Sequence, residues 1–160
     1  MTDDTLSSIW LDTDPARKML SDPDDLLAII ALLNDKRFRV CGISTVHGNA
    51  TPSHSLWCVN HILKLMNKQV PHVVAGSKTA NDSFSQAGER IYEFMVDSSI
   101  PRKKILAIGP LTNVRQALWK YNSIHHDRTP DFTITVLGGV DDVQIAGRGS
   151  TLFKVFETFG

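Results

Sequence analysis

Residues Asp12–Leu33 read DTDPARKMLSDPDDLLAIIALL. Five aspartates, at 12, 14, 22, 24 and 25, precede an apolar run without a break. Upstream, Ser8–Leu11 is a short apolar segment ending in charge. A strand, an acidic turn and an apolar helix in that order form the first βα unit of an α/β fold. The spacing predicts a helix over Asp24–Lys36, with Leu26, Ile29, Ile30 and Leu33 at i, i+3, i+4, i+7. Asp22 as N-cap, Pro23 at the first helical position and acids in the first turn suit a helix start. Capping leaves Asp12 and Asp14 unexplained. They lie two apart at a strand end, on one face. Like charges there repel, and an unpaired buried carboxylate costs free energy or shifts its pKa. A cation would offset this. Carboxylate oxygens without Cys or paired His favour a hard ion, Ca²⁺ or Mg²⁺, over zinc, with Asp14 and Asp25 as its expected ligands.

Outward from this unit the pattern repeats. Strand-like segments are expected at Val40–Val46, His72–Ala75, Lys104–Ile108 and Phe132–Leu137, with helices at Ser53–Asn67, Glu89–Val96 and Leu111–Tyr121. Ser77–Gly88 is polar and reads as a loop. Five successive βα-type units imply an α/β, Rossmann-like open and mainly parallel sheet with helices on both faces. Ligands of such sheets bind beyond the carboxyl ends of the strands. Those ends read LDTD, TVHGN, GPLTN and LGGVDD, rich in residues that coordinate or closely approach a ligand.

The chain has 160 residues, enough for one domain with a core, and its 42% hydrophobic and 21% charged content is that of a soluble globular protein. A formal net charge of zero argues against a nucleic-acid footprint. No apolar run approaches the roughly 20 residues of a membrane span. The acidic start, MTDDTLSS, lacks the features of a signal peptide, so a cytoplasmic protein is expected. Cys41 and Cys58 read as reduced core thiols. The first turn has no GxGxxG, Gly147–Thr151 lacks the P-loop lysine, and no GxSxG is present. These absences weigh against dinucleotide, P-loop and α/β-hydrolase enzymes.

Four motifs in order carry a more specific message. LDTDP (11–15) with the later Asp-Asp, GISTVHGNAT (42–51), LAIGPLTNVRQAL (106–118) and ITVLGGV (134–140) resemble the signature segments of the inosine-uridine preferring nucleoside hydrolases. The resemblance implies hydrolysis of the N-glycosidic bond of purine or pyrimidine ribonucleosides to ribose and base, in nucleoside catabolism and salvage. It implies a Ca²⁺ cofactor held by Asp14, by both oxygens of Asp25 and by the main-chain carbonyl of Thr112. Asp14 would also be the general base for a Ca²⁺-bound water. Asp24 and Asn49 would hold ribose hydroxyls, and Asp12 would support the site from the strand end. A small-molecule nucleoside is the implied partner, and association into dimers or tetramers is implied as well. The chemistry suits these residue types, because carboxylates stabilise an oxocarbenium-like ribosyl centre and a cation acidifies nearby water.

The sequence also departs from the family pattern. Ala16–Ser21 lengthens the loop between the acidic pairs, where Arg17 and Lys18 either neutralise the cluster or form a solvated tip. At 160 residues the chain has about half the family length, so it reads as a single partial domain, truncated before the family's further Asp ligand and its neighbouring His. His47 lies in the TVHGN loop, near the expected site. Residues 148–160 read as a divergent tail, with Glu157 in poor register for a ribose contact. The alternatives are a catalytically inactive homologue that still binds ribose, Ca²⁺ or a partner subunit, and an unrelated α/β domain with a well-capped first helix.

Overall fold

The computed structural model describes residues 6–16, 23–126 and 129–137. Arg17, Lys18, Asp22, the LGGVDD end from residue 138 onward, the 148–160 tail and Glu157 lie outside the described residues. Among the described residues five strands and four helices alternate: β1 (Ser7–Thr13), α1 (Asp24–Asn34), β2 (Phe38–Thr45), α2 (Pro52–Leu65), β3 (His72–Ala75), α3 (Gln86–Val96), β4 (Lys103–Ala107), α4 (Thr112–Ile124) and β5 (Phe132–Val136). All strand pairs are parallel, in the order β3-β2-β1-β4-β5. The chain moves outward from β1 to β3, then returns to lay β4 on the other side of β1. That reversal makes a switch point between β1 and β4, where an open α/β sheet leaves a crevice for ligand.

Alternation along β1 divides the core. Ile9 and Leu11 face Ile29 and Leu32 of α1 and Val59 and Leu63 of α2. Trp10 faces the other way, against Ile91, Phe94 and Met95 of α3 and Val114, Ala117 and Leu118 of α4. Both faces of β1 are therefore covered, which explains its continuous burial from Ser8 to Thr13.

Several boundaries differ from the sequence reading for local reasons. Pro23, not Asp22, is the N-cap of α1, and it makes no side-chain capping bond. Proline has no side-chain acceptor to offer, so Asp24 fills part of that role, its Oδ1 accepting the Asp25 amide at 2.9 Å. The buried stripe of α1 is Asp25, Ile29 and Leu32, with Leu26 and Leu33 on its margins. Asp25 thus belongs to the core-facing stripe, and its burial follows from helix phase. Helix α3 starts three residues earlier than Glu89, because the Ser85 hydroxyl accepts the Gly88 amide at 3.0 Å and caps it. Among the described residues no helix is long and apolar enough to cross a membrane.

Candidate active site

The acidic residues converge at the carboxyl ends of β1, β2 and β4. Asp14 follows the last residue of β1 and is 5% exposed, while Asp25 in the first turn of α1 is 3% exposed. The Asp14 Oδ2 accepts the main-chain amide of Asn49 at 2.7 Å. Burial, opposed in part by that amide, raises the Asp14 pKa. Asp25 is pushed up to about 7, first by burial and then by the charges of Asp14 and Asp24. Its Oδ2 is buried without a hydrogen-bond partner. A buried carboxylate oxygen without a donor is costly unless something positive lies against it.

Two glycines allow the chain to close around Asp14. Gly48 has φ +152°, and a Cβ there would fall 1.9 Å from Asp14 Oδ2. A Cβ on Gly109 would lie 2.8 Å from Asp14 Oδ1 and 2.9 Å from Val46 Cγ1. No side chain fits at either position, so the loops after β2 and β4 clasp the two oxygens of one carboxylate. The two loops also meet directly. His47 Nε2 and Thr112 Oγ1 are 2.9 Å apart. Thr112 is buried at the start of α4.

Asp12 occupies a different environment. It is wholly buried in β1, and its Oδ1 accepts the Ser44 hydroxyl at 2.5 Å and the Asn113 Nδ2 at 2.9 Å. Burial pushes its pKa up to about 7 against the pull of those two bonds, and its Oδ2 has no hydrogen-bond partner. Asn113 also donates to the Thr45 carbonyl at 3.1 Å, while its Oδ1 accepts the Ser77 amide at 2.9 Å and the Ser85 hydroxyl at 3.0 Å. One fully buried amide therefore joins β1, β2, the segment after β3 and the start of α3. Sequence reasoning did not single out Asn113. Its only signal was an Asn after Gly-Pro-Leu-Thr at a helix start, and its partners are distant in sequence.

Of the residues predicted for the site, Asp14 and Asp25 are brought together, and Thr112 joins them through the loop that packs on Asp14. Asp24 and Asn49 lie exposed beside them, with the Asn49 main chain bound to Asp14. Asp12 stands behind them in the strand. The donors suit a hard cation: two carboxylates of raised pKa, one with an unpartnered buried oxygen. Among the described residues no three His, Cys, Asp or Glu side chains are grouped so as to hold an ion by themselves, so water, main-chain oxygens or substrate would complete a shell.

A model of the inosine-uridine preferring nucleoside hydrolases matches residues 9–144. The chain belongs to this family. The match spans every strand end described above, so the acidic cluster, the glycine clasp and the Asn113 hub all lie inside the nucleoside hydrolase region. Two solved structures share the fold. A purine-preferring ribonucleoside hydrolase from Gardnerella vaginalis aligns at TM-score 0.62 and 19% identity, over 84% of this chain and 49% of its own. An inosine-guanosine nucleoside hydrolase aligns at TM-score 0.56 and 20% identity, over 81% and 48%. The chain thus spans about half the length of these structures. A search of curated proteins returned no match.

Proposed function

We propose that this chain carries the cation and ribose half of a nucleoside hydrolase site, and that it cleaves the N-glycosidic bond of ribonucleosides. The observation that carries the reading is the buried Asp14–Asp25 pair at the β1/β4 switch point, with an unpartnered oxygen on Asp25. Asp14, Asp25 and the Thr112 carbonyl would hold Ca²⁺. A bound divalent cation would neutralise the carboxylate pair and make water beside it more acidic. Asp14 would act as general base, accepting a proton from water on a carboxylate oxygen while the hydroxyl bonds the ribosyl carbon, the C–N bond breaks and the departing base takes a proton from solvent. Asp24 and Asn49, exposed at the rim, orient the ribose hydroxyls, and the carboxylates stabilise positive charge growing on the ribosyl carbon. In the cation-free protein burial raises the proton affinity of Asp14. A cytoplasmic location, a role in purine salvage and assembly into oligomers belong to the same proposal.

Ribose release from inosine and uridine tests it. The expected result is Ca²⁺-dependent release that falls at least about a hundredfold in Asp14→Asn, the usual scale for a lost general base. Turnover unchanged in Asp14→Asn would contradict the assignment. A second reading is binding of cation and ribose without turnover. It predicts Ca²⁺ binding with no ribose release.

A further inference from the structure

The loops after β2 and β4 both reach Asp14, and a side-chain bond between His47 and Thr112 joins them. From the β2 side, the Asn49 amide donates to Asp14 Oδ2 at 2.7 Å, and Gly48 packs on the same oxygen. From the β4 side, Gly109 packs on Asp14 Oδ1 and on the Asp14 main-chain nitrogen. The His47–Thr112 bond spans the gap at 2.9 Å. His47 is anchored in turn, its amide donating to the Ser77 carbonyl at 2.9 Å, while the Ser77 amide donates to Asn113 beside Thr112. These contacts form a closed circuit: His47 side chain, Thr112, Asn113, Ser77, His47 main chain.

We infer that His47 is a positioning residue for Asp14. Its bond to Thr112 latches the two glycine loops and so fixes the carboxylate that they clasp. A loop of two exposed residues, Gly48 and Asn49, has little burial to hold it in place. Asn49 keeps its amide on Asp14 because His47, two residues earlier, is tied to Thr112 of α4. The latch gives that carboxylate one orientation, and a base displaced by about 1 Å loses much of its effect. In this arrangement His47 acts on Asp14 through the Asn49 amide. The inference deepens the proposed function, since its consequence for catalysis rests on Asp14 as the base.

Amide hydrogen exchange by NMR on the whole chain tests the latch without relying on turnover. The Asn49 amide is expected to exchange about tenfold faster in His47→Ala and in Thr112→Val, and no faster in the double variant than in either single one. His47→Gln, whose amide nitrogen reaches near the imidazole Nε2 position, is expected to restore protection. The melting temperature of His47→Ala is expected to stay within about 2 °C of wild type, since His47 is only half-buried. A Ca²⁺ titration of the same variants should show weaker affinity in His47→Ala and recovery in His47→Gln. Unchanged Asn49 exchange in His47→Ala, or additive effects of the two substitutions, would overturn the latch. If Asn49 exchange responds as expected while wild type takes no Ca²⁺, the latch stands and the cation reading falls.

Discussion

At the scale of residues, the cluster is a balance between burial and charge. Asp12 and Asp25 have folded pKa values raised from 3.8 to about 7, chiefly by burial. A carboxyl whose folded pKa is raised holds its proton more tightly in the folded state than in the unfolded one. Its burial is tolerated below about pH 4, and stability is lost as pH climbs through the interval up to about 7. Asp35, Asp82 and Asp97 shift downward through local hydrogen bonds and titrate below that interval. The cation-free protein is therefore expected to melt at lower temperature at pH 8 than at pH 5. Added Ca²⁺ should raise the melting temperature more at pH 8. Thermal scans at the two pH values check this, and a cation-free protein that is more stable at pH 8 would contradict it. Gly48→Ala tests the clasp, because a methyl group would enter space that Asp14 Oδ2 occupies. Strain at such a backbone position costs about 1–3 kcal/mol. The expected result is a loss of that size in urea unfolding, accompanied by weakened Ca²⁺ binding. Wild-type values for both would contradict the clasp.

At the scale of elements, each helix is fixed by a mixture of local and distant groups, and legibility from sequence followed that division. The β1–α1 order, the parallel sheet and all five strands were legible because apolar periodicity is a local property. The phase of α1 was not. Its face was read from apolar residues alone, whereas Asp25 occupies the buried stripe with Ile29 and Leu32. A carboxylate that faces a core looks like a surface residue until its site is known. The convergence of Asp14 and Asp25 was legible through strand-end logic and motif resemblance. The Asn113 hub was not, since residues 12, 45, 77 and 85 meet it only after folding. The buried Lys103 is another distant device. Its Nζ donates to the Met95 and Asp97 carbonyls at 2.8 and 3.0 Å and pairs with Asp131 at 2.9 Å. The carbonyl bonds matter most, because Asp131 is 66% exposed and water screens that pair. Lys103→Met would leave the end of α3 without those donors. A loss of about 2–3 kcal/mol is expected in urea unfolding, the scale of buried acceptors left unsatisfied by a charged donor. A change under about 0.5 kcal/mol would show that solvent satisfies those carbonyls.

At the scale of the whole molecule, topology turns separate motifs into one site. The reversal from β3 to β4 brings the end of β1 between two glycine loops that are about sixty residues apart in sequence. Family membership and fold agree on this region, and the chain covers about half of the solved hydrolases that it resembles. The proposed function requires the buried Asp14–Asp25 pair to hold a cation. Calorimetric titration of the purified chain with Ca²⁺ at pH 7.5, beside Asp25→Asn, tests it most directly. One saturable site per chain is expected in wild type and none in Asp25→Asn, with both proteins folded by circular dichroism. A folded wild-type protein that takes up no Ca²⁺, or an Asp25→Asn variant that binds it equally well, would contradict the claim.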